Sequence, residues 1–225
     1  MLGRVEIGVL GATGPAGRGV AMRLADLRHD VIAGSRQRAR AERLVQELRE
    51  RWGARVATLR PGVNAEAAAA RDLVVVATNW EGALETTRTH ARQLAGKVVI
   101  AMANGLRKVD REFVAVTPAE GSFAAAMQGA APEARVVAAL QHVPAQALGD
   151  LEQRLSTDVV VCADDDAARQ AVIELLATIP GVRAFDGGSL ANAAGVEAFA
   201  APLLTVNLRH RGEYTLRLAG EERGR

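Results

Sequence analysis

A short apolar run at residues 5–10 leads directly into the turn Gly11-Ala12-Thr13-Gly14-Pro15-Ala16-Gly17, and an alanine-rich stretch at 17–27 has the composition of a helix. This order of strand, glycine-spaced turn and helix constrains the chain more than any other feature. A side chain at such a turn would block an approaching pyrophosphate. Glycines leave bare N–H groups and the positive end of a helix, which together attract phosphate. Gly11, Gly14 and Gly17 give G-x-x-G-x-x-G. The dinucleotide pattern G-x-G-x-x-G is met at its second and third glycines, with Ala12 at the first. Glycine-rich turns also arise for steric reasons alone; the placement between a strand and a helix favours the nucleotide reading.

The same alternation continues along the chain. Strands are expected at 31–33, 55–59, 73–77, 98–102 and 136–140, and helices at 38–52, 64–70, 81–94 and 121–129. Residues 73–77 form a continuous apolar run, the pattern of a strand buried on both faces. Repeated strand–helix–strand units predict a doubly wound α/β fold of Rossmann type, with a mostly parallel sheet. After Gln141 the rhythm loosens into helices at 148–155, 167–179 and 190–209 and strands at 159–161, 182–185 and 214–218. Pro202 is expected to kink or split the last helix. The expected organisation is a dinucleotide domain over residues 1–141 and a smaller C-terminal α/β lobe over 142–225 that covers the cleft.

Composition narrows the function. In 225 residues, 49% are hydrophobic but only 3% aromatic, so the core must be built from Ala, Val, Leu and Ile. A formal net charge of +2 gives no field that would recruit nucleic acid. One cysteine, Cys162, excludes an intramolecular disulfide, and no His/Cys spacing has the form of a metal site. The triplet Asp164-Asp165-Asp166 is read as helix capping rather than metal binding. No signal-peptide pattern precedes the first strand, and no apolar run approaches the length of a membrane helix. A cytoplasmic protein is the expectation.

The end of the second strand selects the dinucleotide. An acidic residue there would accept hydrogen bonds from the ribose 2′-OH and repel a 2′-phosphate. This chain instead has Gly34-Ser35-Arg36-Gln37-Arg38-Ala39-Arg40. Ser35 can donate to phosphate, Arg36 can pair with it or stack on adenine, and Arg40 lies one helical turn later. Cations at a helix N-terminus are unfavourable unless an anion joins them. NADP(H) is therefore favoured over NAD(H).

Acid–base machinery is sparse. Of His29, His90, His142 and His210, only His142 follows a strand end near the expected crevice, and a structural or lining role is favoured over proton donation. Hydride transfer between two redox cofactors suits such a site, because the chemistry resides in the rings and the protein supplies position.

The chain resembles the NADPH-dependent coenzyme F420 reductases. The resemblance begins at Leu10-Gly11-Ala12-Thr13-Gly14 and continues through Leu24-Ala25, Gly34-Ser35-Arg36 and Trp80-Glu81. It resumes at Val136–Leu140, Val143-Pro144-Ala145, Val161–Asp165, Asp186–Leu190, Glu197 and Pro202-Leu203-Leu204. It implies reversible hydride transfer between NADP(H) and the 5-deazaflavin coenzyme F420. By the same resemblance Thr13, Gly14, Pro15 and Ala16 would line the pyrophosphate, and Ser35, Arg36 and Arg40 would hold the 2′-phosphate. Thr78 and Trp80 would flank the nicotinamide half, while His142, Val143, Pro144 and Ala145 would line the deazaflavin-facing cleft. No side chain is implied as a catalytic acid or base, and a homodimer is compatible with the resemblance. Departures from the family pattern fall at Ala12, at Gln141-His142, where the histidine is displaced by one, and at Met102–Leu106. Two alternatives stay open: NADPH-dependent reduction of a flavin, ferric chelate or small carbonyl, and a non-catalytic NADPH-binding module.

Overall fold

The computed structural model describes residues 3–220. Its centre is an eight-stranded sheet in the order β10-β9-β8-β5-β4-β1-β2-β3. The strands are β1 (Glu6–Leu10), β2 (Asp30–Ser35), β3 (Leu59–Val63), β4 (Leu73–Val76), β5 (Val98–Ala101), β8 (Arg135–Ala138), β9 (Thr157–Ala163) and β10 (Val182–Asp186). All neighbouring pairs are parallel except β8 and β9, which meet antiparallel at Val137–Ala163 and Ala138–Cys162. The doubly wound reading is thus correct, and the sheet continues unbroken past residue 141. Strand order reverses between β1 and β4, and ligands of open α/β sheets bind in the crevice at such a point.

Helices α1 (Pro15–Asp26), α2 (Arg38–Trp52) and α8 (Asp166–Ala177) cover one face. The other is covered by α3 (Asn64–Ala68), α4 (Trp80–Thr89), α5 (Ala91–Leu94) and α6 (Phe123–Ala130). The helix expected at 81–94 is broken at His90 into α4 and α5. Asp165 accepts from Ala168 N at 2.7 Å, so this aspartate caps α8 as expected.

Several expectations need correction. Residues 55–59 are not a strand: a 3-10 turn, Gly53–Val56, buries Val56, and β3 begins only at Leu59. Pro61 lies within β3, which is tolerated because β3 is the sheet edge. The helix expected at 148–155 ends almost where it was to start, as α7 (Ala145–Leu148). The reason is Arg23. This buried guanidinium on α1 donates to the carbonyls of Ala147, Leu148, Asp150 and Gln153, the acceptors a longer helix would use internally. Arg55 adds a second anchor, pairing with Asp26 and Glu152 and donating to Leu151 O.

An antiparallel hairpin, β6 (Gly105–Val109) and β7 (Glu112–Val116), was not expected; it packs against α9 (Ala193–His210). Helix α9 follows a 3-10 turn, Leu190–Asn192, and runs through Pro202 without splitting. Residues 214–218 are extended but form no strand. Their ladder is reduced to Asp158 N–H donating to Leu216 O.

That tail converges on one buried charge. Asp158 is fully buried; it accepts from Arg183 Nε at 2.7 Å and from Leu218 N, with Arg217 at 3.4 Å. Its pairing with Arg183 holds the carboxyl below the usual carboxylate range. A depressed folded-state pKa contributes stability above the unfolded value near ~3.9 and loses it as the pH falls through the folded value. Asp158→Asn is expected to cost about 3 kcal/mol at pH 7, and less at pH 3, when urea unfolding is compared at the two pH values.

Candidate functional site

The glycine turn is shaped by contacts that admit no Cβ. Gly11 has φ +78°, and a Cβ there would lie 2.9 Å from Thr78 Cγ2. A Cβ on Gly17 would lie 2.5 Å from Gly11 O, so this glycine closes α1 onto the turn. Gly14 differs: it has ordinary backbone angles, and a Cβ would meet nothing nearer than Gly11 O at 3.4 Å. The protein's own packing thus leaves room for a side chain at Gly14, unlike at Gly11 and Gly17.

Several amides of the turn are spent within the protein and others are free. Gly11 N–H donates to Asn64 Oδ1, Ala12 N–H to Gly34 O and Gly14 N–H to Gly11 O. Ala12 is fully buried and its amide is spent on the backbone of β2, so it is not among the donors left free at the turn. Thr13 N–H and the first-turn amides of Ala16 and Gly17 have no backbone acceptor, and Pro15 at the first helical position has no N–H to satisfy.

Two adjoining clefts meet over this turn, sharing Gly14, Ala77, Thr78 and Asn79. The first, about 690 Å³, contains Gly11, Thr13, Gly14, Ser35, Arg36, Gln37, Arg40 and Asn64. Helix α2 opens there without an acidic residue in its first turn or a side-chain cap. Arg38 is drawn off by Glu66, whereas Arg36 and Arg40 form no ion pair among the described residues. Ser35 is buried and accepts from Gln37 N. This end is cationic and rich in donors.

The second cleft, about 370 Å³, lies between Gly14, Pro15 and Ala16 on one side and Trp80, Met102, Asn104 and Leu106 on the other. Its lining contains no titratable side chain. Trp80 packs edge-on against Phe123, with ring centroids 5.8 Å apart. Phe123 is fixed in turn by Glu197, whose carboxylate accepts from Phe123 N at 2.7 Å and Ala124 N at 3.0 Å at the start of α6. Burial raises the pKa of Glu197. At the junction of the clefts, Thr78 Oγ1 is sealed from solvent and has no hydrogen-bond partner among the described residues.

The residues expected at the deazaflavin side stand apart. His142 is buried; its Nε2 donates to Asp158 O at 2.7 Å, while Nδ1 has no partner and burial lowers the pKa. Val143 and Pro144 line a separate cavity of about 90 Å³ with Gln153 and Thr215, and Ala145 is the half-buried first residue of α7. Sequence reasoning missed Asn64, Asn79, Asn104 and Leu106. Placing the third strand four residues early hid Asn64, and missing the hairpin hid Leu106.

Residues 6–105 match the family described as NADP oxidoreductase, coenzyme F420-dependent. The chain is 32% identical over 215 residues to the F420-dependent NADP reductase of Methanocaldococcus jannaschii, covering 94% of this chain and 96% of that protein. The chain belongs to the F420-dependent NADP reductase family. The reductase of the same name from Methanothermobacter thermautotrophicus is 30% identical, with 92% of this chain and 91% of that one covered. A crystal structure from Arthrobacter sp. FB24, provisionally described as an F420-dependent NADP reductase, superposes with a TM-score of 0.78 at 29% identity. It covers 96% of this chain and 100% of its own. Among the described residues of this family member, no cluster of His, Cys, Asp and Glu could hold a metal ion. No helix there is long and apolar enough to cross a membrane.

Two of the turn glycines predict opposite outcomes. Gly17→Ala forces a backbone clash and is expected to lose about 1–3 kcal/mol of folding stability. Gly14→Ala is expected to melt within a few degrees of the unsubstituted protein, yet to bind NADPH at least about tenfold more weakly, equivalent to ~1.4 kcal/mol. Thermal melts and fluorescence titration separate the two.

Proposed function

We propose that this oxidoreductase transfers a hydride reversibly between NADP(H) and the 5-deazaflavin coenzyme F420. The observation that carries the reading is the pairing of a cationic, donor-rich cleft with an adjoining cleft free of titratable groups. Thr13, Gly14, Pro15 and Ala16 seat the pyrophosphate, the free amides of Thr13 and Ala16 donating to it. Ser35, Arg36 and Arg40 hold the 2′-phosphate. Thr78 and Trp80 flank and orient the nicotinamide half. When bound, the nicotinamide supplies or accepts the hydride.

The protein's own contribution is positional. Pro15, Ala16, Trp80, Met102 and Leu106 exclude water from the transfer path, so the hydride is not diverted to solvent protons. The side chains of this wall carry no titratable proton, so the proton taken up with the hydride on deazaflavin reduction comes from outside this cleft. His142, Val143, Pro144 and Ala145 are assigned to the deazaflavin side, and residues 142–225 to the lobe that flanks it. His142 supports that side as a neutral imidazole rather than as an acid. The chain acts on small redox cofactors in the cytoplasm, without nucleic-acid or membrane partners, and a homodimer is compatible with this reading.

Mixing the purified protein with NADPH and oxidised F420 is expected to bleach the deazaflavin's visible absorbance at the rate of NADPH consumption. No change with this acceptor, alongside turnover of a flavin or ferric chelate, would replace the reading. Arg36→Ala and Arg40→Ala should each raise the KM for NADPH about tenfold, a charge-assisted hydrogen bond being worth ~1.5–3 kcal/mol. They should leave kcat within about twofold, because the lost contact is made equally in ground and transition states.

A further inference from the structure

Asn64, the first residue of α3, enters the phosphate cleft by an unusual route. Helix α3 lies very close to the sheet because β1 and β2 carry glycines beneath it. A Cβ on Gly8 would fall 1.7 Å from Ala67 O, and one on Gly34 would fall 2.7 Å from Ala67 Cβ and 3.1 Å from Asn64 Oδ1. Across the space above Gly34, Asn64 reaches from the end of β3 to the turn after β1. There its Oδ1 accepts from Gly11 N at 3.3 Å.

This contact fixes which way the carboxamide faces. A backbone N–H can only donate, so the atom receiving it must be the oxygen, and the opposite end must be the NH2. Asn64 as a whole is only 9% exposed, yet Nδ2 has no protein acceptor and is not sealed from solvent. It opens into the cleft shared with Ser35, Arg36 and Arg40. The β2–β3 register pairs Ser35 with Val63, which sets Asn64 beside the end of β2. Glu66, two residues on, holds Arg38 away from the cleft and caps α3 by accepting from Val63 N.

We infer that Asn64 is both a positioning residue and a specificity determinant of the dinucleotide site: Oδ1 holds the Gly11 peptide while Nδ2 donates to the 2′-phosphate end of NADP(H). The inference rests on the NADP reading above and deepens it. A buried carboxamide locked donor-outward suits a phosphate, which only accepts. An aspartate at the same place would still receive the Gly11 N–H but would turn a negative oxygen toward the phosphate. The glycine turn and the cofactor choice are thus joined through one side chain.

The test uses equilibrium binding of NADPH and NADH, read by fluorescence titration without any hydride acceptor. The variants are Asn64→Asp and Asn64→Ala, each checked for folding by circular dichroism and thermal melting. Asn64→Asp is expected to raise the Kd for NADPH at least about tenfold while changing that for NADH less than about threefold, the charge-assisted contact becoming a repulsion. Asn64→Ala, which also frees the Gly11 peptide, should weaken both cofactors. Equal weakening of NADPH and NADH by Asn64→Asp would overturn the specificity role and leave only support of the turn. Unchanged binding of both cofactors by both variants would overturn the inference entirely. If either variant fails to fold, Asn64→Ser is measured instead: a short hydroxyl cannot span to Gly11 and reach the phosphate together, so unaltered NADPH binding would also refute the proposal. Failure of the unsubstituted protein to bind NADPH would count against the NADP reading itself, a distinct result.

Discussion

Backbone brought closer than a methyl group allows is the constraint on which this structure depends. At Gly17 the first helix presses on the turn, at Gly11 the turn presses on the end of β4, and at Gly8 and Gly34 a short helix settles onto the sheet. Each approach removes a possible side chain and puts a peptide group in its place. Around these approaches the turn keeps some N–H groups spent within the protein and leaves those of Thr13, Ala16 and Gly17 without a backbone acceptor, which is what an anion requires. The open ones gather where strand order reverses, between β1 and β4.

Electrostatic and apolar duties are divided across that reversal. On the β2 side the chain accumulates arginines at a helix start, a placement that is unfavourable for the helix alone. On the β4 and β5 side it places a tryptophan, a methionine and a leucine with no ionisable neighbour in the lining. In the function proposed above, phosphate recognition and ring placement would thus fall to different residues, held in register by the sheet between them. Thr78 belongs to both, with its methyl against Gly11 and its hydroxyl unpartnered at their meeting point.

Much of this was legible in the sequence. The strand–turn–helix at the start, the uninterrupted apolar run of β4 and the basic opening of α2 each follow from periodicity and local chemistry. What escaped depended on partners distant in sequence. The hairpin turns at Asp110-Arg111, with Asp110 at φ +50° and no glycine to announce it. Helix α7 is cut short by Arg23, more than 120 residues earlier in the chain. Asn64 looked like a helix start, and only the register of β2 with β3 places it at a strand's end beside Ser35. Glu197 matched a family segment, but its hydrogen bonds to α6 required the fold to be known.

Helix α1 has a mechanical consequence. Its N-terminus borders the cleft proposed above for the phosphates; near its other end, within a length of about 18 Å, Arg23 grips four carbonyls of the chain that follows β8. The helix therefore acts as a tie-rod between the dinucleotide floor and the segment after His142. Two surfaces tied by one rigid rod keep a set spacing, so the gap between them is built in at folding rather than created when ligands arrive. For a reaction that depends on the distance between two flat rings, that spacing is itself a heritable parameter, adjustable through a residue that touches neither ring.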